Sequence, residues 1–310
     1  MKNKILSRTA LALLLAVTAR AQNYNYTTID DPLGVNTFAQ GISGNNIVGY
    51  YEDSSGNYNG FLYNGSTYTT LNNPLGVNGT FAIGIDGNNI VGEYVDGSGN
   101  ANGFLYNGSS YTTLDDPLGV NYTIAEGVSG NNIVGDYRDS AGYYHGFFYN
   151  GSSYTTLNDP LAFNRTVVYG ISGNNIVGYY LDSSGNYHGF LYNGGTYTTF
   201  NDPLGSLTVA IGVDGNNIVG YYEDNSGNYN GFLYNGSSYT TIDDPLGVEG
   251  TIANGISGNN IVGHYSDSSG TAHGYEAIPT PEPSTLAMGA LGATSAGLLA
   301  LRRKQKRGQN

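Results

Sequence analysis

The string NNIVG begins at Asn45, Asn88, Asn131, Asn174, Asn216 and Asn259, so the chain copies itself every 43 residues, and once after 42. A period of this size restricts the fold to propeller blades, solenoids or arrays, in which one supersecondary unit is repeated and stacked. Each copy offers four short segments; in the second they are TFAIGI, NIVGEYV, NGFLYN and SYTTLD. Runs this short, and this rich in Tyr, Thr, Val, Ile and Phe, read as strands.

Turn chemistry separates the segments. Asn-Gly at 64, 107, 150, 193 and 235 predicts a type I′ hairpin between third and fourth strands, because both residues tolerate positive φ. DSSG and its variants place Asp first and Gly fourth between second and third strands, as a type I turn prefers. DDPLG and its variants lead into the next unit, with Pro presetting φ.

The strands are apolar on both faces, as in NIVGYY and GFLY. That pattern suits a sheet buried between two neighbours. Stacking blades radially supplies the burial, and closing the ring hides the edges, whereas a linear solenoid needs capping units that are not visible here. The two ends complete the picture. The last copy stops after its third strand, TAHGYEAI, and the residues NYNYTTID near the start are a lone fourth strand. The sequence therefore predicts an all-β, six-bladed β-propeller over residues 22–279, its four-stranded repeats closed by the N-terminal strand.

Composition limits the chemistry. Cysteine and tryptophan are absent, so packing and not disulfides or thiolate metal sites must stabilise the fold. Between residues 22 and 281 only Arg138 and Arg165 are basic, against 23 acids, giving a formal charge of −21. Nucleic-acid binding needs the opposite sign, and no glycine-rich phosphate loop with its lysine occurs.

The termini carry transport signals. Residues 1–21 run from Lys2, Lys4 and Arg8 through an apolar stretch to Ala19-Arg20-Ala21, the order of a secretory signal peptide. At the other end, residues 286–301 are uncharged and precede Arg302, Arg303, Lys304, Lys306 and Arg307. As a helix they reach about 24 Å, a little short of a bilayer core of about 30 Å, and are expected to span the inner membrane with the basic end inside. Pro281-Glu282-Pro283, the short span and the basic end together resemble the PEP-CTERM sorting signal, assigned to residues 280–310. The resemblance implies recognition by an exosortase-type protease-transpeptidase and delivery to the surface or matrix of a Gram-negative, polysaccharide-producing bacterium. The copies themselves, with GISGNNIVGYY followed by HGFLY (His188 to Tyr192) or NGFLY (Asn59 to Tyr63), resemble the extracellular HAF repeat. They depart from its namesake tripeptide, since Gly stands at the central position and Asn replaces His in three of six copies.

Near-identical copies make their differences informative. The residue before the glycine of each first strand varies: Gln40, Ile83, Glu126, Tyr169, Ile211 and Asn254. First strands line a propeller's channel, so these six are candidate ligand-site residues, with Tyr169 and the polar amides suited to sugar; drift at a tolerant position is the alternative. Propeller topology also puts the second-to-third and fourth-to-first loops on one face, and with them 16 of the 23 acids. Six of these, Asp53, Asp96, Asp139, Asp182, Asp224 and Asp267, are weak candidates for Ca²⁺, which prefers several oxygen ligands; good turn chemistry and solubility explain them equally. No loop shows the alternating D-x-D-x-D-G pattern. The four histidines, His145, His188, His264 and His273, alternate with Asn mid-strand and suit hydrogen bonding better than metal ligation. No nucleophile, base and orienting acid recur as a set. The expected function is a noncatalytic surface or matrix scaffold or binding module, with a secreted glycan-acting enzyme using acids such as Glu126 as the alternative.

Overall fold

The computed structural model describes residues 24–280. The expected signal peptide, the Pro281-Glu282-Pro283 motif and the span 286–301 lie outside the described residues. The described chain is all β: 24 strands and no helix. They form four sheets of four strands and one of eight. The eight-stranded sheet holds two four-stranded units, 123–157 and 165–200, linked by a single parallel pairing of Tyr144 with Arg165. The arrangement is a β-propeller of repeated four-stranded blades.

One blade shows the pattern. Thr80–Asp86 is innermost, and Asn89–Val95, Ala101–Tyr106 and Tyr111–Leu114 follow outward, each antiparallel to the last. Successive blades pack face to face. Val48 and Leu71 of one blade bury against Ala82, Ile90 and Phe104 of the next, all 5% exposed or less. At about 25 cal/mol per Å² of apolar surface removed from water, this repeated interlayer is the main stabilising term.

The innermost strands meet through glycine. Gly41 lies on Gly84, Gly84 on Gly127, Gly127 on Gly170, Gly170 on Gly212, Gly212 on Gly255, and Gly255 back on Gly41. A Cβ at any of them would stand within 3.0 Å of the next strand's carbonyl oxygen, the one preceding its glycine. A second ring closes at the adjoining hairpins. The amides of Gly44, Gly87, Gly130, Gly173, Gly215 and Gly258 donate to Ser257, Ser43, Asp86, Ser129, Ser172 and Asp214, each in the neighbouring blade.

The N-terminal strand closes the last blade as the sequence predicts. Tyr24–Thr28 pairs antiparallel with Ala272–Pro279, from Tyr24 opposite Pro279 to Thr28 opposite Tyr275. Thr28 Oγ1 meets the Tyr265 hydroxyl at 3.1 Å, repeating the Thr113–Tyr94 contact at 3.1 Å within an unbroken blade.

The turns differ from expectation in one respect. Asn64 is not at positive φ, so the turn is not type I′. Its side-chain oxygen accepts the amides of Ser66 and Thr67, and only Gly65 takes positive φ, +89°. Asn107, Asn150 and Asn235 repeat this side-chain cap. At 193–196 the two central residues, Gly194 and Gly195, are both at positive φ. An asparagine that hydrogen-bonds its own turn competes with the tight hairpin geometry.

The glycine ring yields a direct test. Gly127→Ala places a methyl 2.6 Å from the Tyr169 carbonyl oxygen, with backbone and not a flexible side chain in the way. Destabilisation of about 1–3 kcal/mol is expected from such overpacking, measurable by chemical denaturation. Unchanged stability would mean that the inner strands do not approach this closely.

Candidate functional site

Each inner strand carries a β-bulge. Register shifts occur between Ala39 and Gly41, Ala82 and Gly84, Ala125 and Gly127, Val168 and Gly170, Ala210 and Gly212, and Ala253 and Gly255. The extra residues are Gln40, Ile83, Glu126, Tyr169, Ile211 and Asn254. A bulge re-aims its side chain away from the regular pleat, and all six line one central cavity of about 260 Å³. The candidate ligand-site residues are thus brought together, and Tyr221, Ile252 and His264 join them in the wall.

The wall is polar on opposite sides with different chemistry. The Asn254 side-chain nitrogen donates to the Ala39 carbonyl at 2.8 Å and lies 3.1 Å from His264 Nδ1. An amide nitrogen can only donate, so Nδ1 accepts and the ring proton sits on Nε2. Burial pulls His264 down to about 4, leaving it neutral at physiological pH. Three bulges round the ring from Asn254 stands Glu126. Burial first, then Asp136 and Glu93 nearby, push its carboxyl well above the ordinary range.

These neighbours form a set that the periodic reading overlooks. Asp136 and Glu93 stand on second strands, directly after NIVG, where other copies carry Tyr50, Tyr179, Tyr221 and His264. Burial lifts Glu93 to about 7. Asp136 is 2% exposed; burial and Glu93 raise it, Arg165 opposes the shift, and its Oδ2 has no hydrogen-bond partner among the described residues. Arg165 lies over the Tyr144 ring at 4.5 Å and hydrogen-bonds Tyr179. The same comparison of copies that singles out the bulge residues would have found this second variable position.

The acidic rim resolves into turn chemistry. Asp53 Oδ1 accepts the amides of Ser55 and Asn57 while Oδ2 accepts from the Asn57 side chain. Such backbone hydrogen bonds hold Asp53, Asp96, Asp139, Asp182 and Asp224 below the ordinary carboxylate range. Hydrogen bonds from Ser269 bring Asp267 down to about 2. The six candidates sit on separate loops. No group of three or more acids and histidines placed to hold a metal ion occurs among the described residues. Asp31, Asp116, Asp159, Asp202 and Asp244, expected on the exposed rim, are only 2–3% exposed. Each accepts the amide two residues on, capping the Pro-containing turn. His145 and His188 bridge Asp139 and Asp182, at 3.1 Å, to asparagines of the following loop. His273 pairs with Asp30 at 2.8 Å. His264 alone of the four departs from this position, standing beside the cavity.

Comparison with known proteins bears on both ends of the problem. Residues 279–304 match the PEP-CTERM protein-sorting motif, which supports an exported, surface-directed protein. No curated protein matches the chain. Among solved structures, a mutant Aleuria aurantia lectin in complex with Fucα1-6GlcNAc is similar at 16% identity, TM-score 0.51, covering 80% of this chain and 96% of that one. The fungal lectin of the same organism described as a six-bladed β-propeller is similar at 14% identity and TM-score 0.50, with 81% and 97% covered. TolB from Acinetobacter baumannii is similar at 12% identity and TM-score 0.50, with 80% and 64% covered. At these identities the likeness is one of fold.

The buried acids set a pH dependence. A carboxyl whose folded pKa is raised binds its proton more tightly in the folded state, so stability falls as pH rises from the unfolded value through the folded one. For Glu93 that window runs from 4.5 to about 7, and Asp136 and Glu126 act in the same direction. Thermal unfolding should show the melting temperature declining across this window. Glu93→Gln and Asp136→Asn should flatten the decline and raise stability at pH 8. A wild-type profile flat from pH 4.5 to 8 would contradict the buried-acid assignment.

Proposed function

We propose that this chain is an exported surface or matrix protein whose six-bladed, HAF-type propeller is a noncatalytic module binding a saccharide in its central channel. One observation carries the reading. In otherwise copied units the bulge residues all differ except for the isoleucines 83 and 211, and all six converge on a single cavity. Drift alone has no reason to collect at the positions that face one shared cavity. The blade count rests on six inner glycines in one ring, with the eight-stranded sheet taken as two blades joined at Tyr144 and Arg165. A cavity of about 260 Å³ lies just under the ordinary range for drug-sized ligands, roughly 300–1,000 Å³, and suits one sugar residue or a chain end. The similarity to propeller lectins supplies a fold precedent for a glycan ligand.

Binding of the full-length chain to a panel of bacterial exopolysaccharide fragments tests this. Saturable binding should weaken about tenfold in Tyr169→Ala, the loss expected when an aromatic stacking contact of about 1.4 kcal/mol is removed. Absence of binding to every saccharide would overturn the proposal.

A second reading has one observation in its favour. Glu126 and Asp136 are neighbouring carboxyls with raised proton affinity beside the cavity, the pairing that acid-base glycoside cleavage uses. Release of reducing ends, abolished by Glu126→Gln, would select the enzyme; binding without turnover selects the module.

The tail belongs to the same proposal. It holds the precursor in the inner membrane of a Gram-negative host until an exosortase-type enzyme acts near Pro281-Glu282-Pro283. Mass spectrometry of the surface form should find no peptides from Leu286 onward. Their presence in that form would leave the tail a plain anchor.

A further inference from the structure

The central cavity is electrostatically lopsided. Gln40, Asn254 and the neutral His264 are its uncharged polar side, and Glu126 is the carboxylic acid among its lining residues. Behind Glu126 lies Asp136, 2% exposed, with an unpartnered Oδ2. Glu93 completes a group of three acids. The nearby arginines, Arg165 over the Tyr144 ring and Arg138 over the Tyr122 ring, do not line the cavity. Of the three acids only Asp136 feels Arg165, and Glu126 faces the cavity without a cationic partner among the described residues.

Burying acids without counter-charge is costly, and either they stay protonated or a cation joins them. Lysine is absent from residues 22–281, so this part of the chain supplies no ammonium of its own. The acids and histidines among the described residues are not gathered as a metal ion requires. The fitting cation is one that carries its own hydrogen-bond donors and needs a single strong acceptor. A primary ammonium does this, and Glu126 is presented to the cavity by its bulge as that acceptor.

Resting on the reading of the cavity as a saccharide site, we infer that its ligand is an amino sugar with a free amine. The ammonium sits on Glu126, and the sugar hydroxyls face the amides of Gln40 and Asn254. Asp136 and Glu93, which favour the proton in the free protein, are positioning groups: they release protons as the ammonium arrives and so add negative potential behind Glu126 without touching the ligand. An N-acetylated sugar lacks the charge and leaves the acids uncompensated, so the cavity discriminates between the two forms of the same sugar.

The experiment is calorimetric titration of the full-length chain with glucosamine oligomers and with N-acetylglucosamine oligomers of equal length. The amine series should bind about tenfold tighter or better, the share of one charge-assisted hydrogen bond. Glu126→Gln should abolish this preference while keeping a melting temperature at least as high as wild type, and Asp136→Asn should reduce it. If Glu126→Gln fails to fold, the wild-type comparison and Asp136→Asn still decide. Equal or tighter binding of the N-acetylated series overturns the inference and leaves the saccharide site standing. A preference for amines that survives intact in folded Glu126→Gln also overturns it, since it then arises from the overall negative charge. Failure of both series and of every other saccharide overturns the site itself.

Discussion

Close approach of six inner strands, possible because each presents a glycine to its neighbour, is the constraint from which the rest of the architecture follows. A methyl group at any of these positions would meet backbone, which cannot swing aside as a side-chain tip can. With the strands this close, the hairpins beside them come within hydrogen-bonding reach and form the second ring of glycine amides on Ser and Asp side chains. The bulge immediately before each glycine follows from the same crowding. The strand must shift register to bring its glycine inward, and the residue displaced is turned into the channel.

Outside that ring, the copies are alike because their faces are shared. Phe61, Phe104, Phe147, Phe190 and Phe232 are fully buried, as are Val48, Val91, Val134, Val177 and Val219. Each sits between its own blade and a neighbour, so changing one copy alone leaves a cavity or a clash against an unchanged partner. Inside the ring, the bulge position and the position after NIVG vary from copy to copy, as loop positions at the surface also do. The aromatic pairs Phe38–Tyr50, Tyr122–Tyr144 and Tyr179–Tyr187 fill that layer differently in different sectors. A near-symmetric frame thus carries an asymmetric centre.

Acidic residues fall into three populations. Between second and third strands, backbone amides converge on the first Asp of each turn and stabilise its charge, as at Asp53 and Asp182. In the Pro-containing turns, Asp31 and its equivalents also accept a backbone amide, but burial favours their proton. Between blades, Glu93 and Asp136 meet apolar surroundings and each other, which favours the proton as well. The first two populations make the turns and the third gives the centre its chemistry. Composition alone counts them together.

The period, the four strands per copy, the Asp- and Pro-based turns and the closing role of Tyr24–Thr28 were all legible in the sequence. Each depends on local propensity or on a pattern repeated along the chain. So were the six bulge residues, because copies can be compared without coordinates. Local rules misjudged Asn64, whose side chain caps its own turn, and placed Asp31 and its equivalents on an exposed rim when they are buried beneath it. Comparison of copies also marks the position of His264 and Asp136 as variable, but their burial beside the channel needed the tertiary structure: NIVGHY and NIVGDY have the same strand pattern as NIVGYY. Only the packing of one blade on the next determines that this position lies in the interlayer beside the channel. Burial of charge is a property of what surrounds a residue from distant parts of the chain, and periodicity records only what stands next to it.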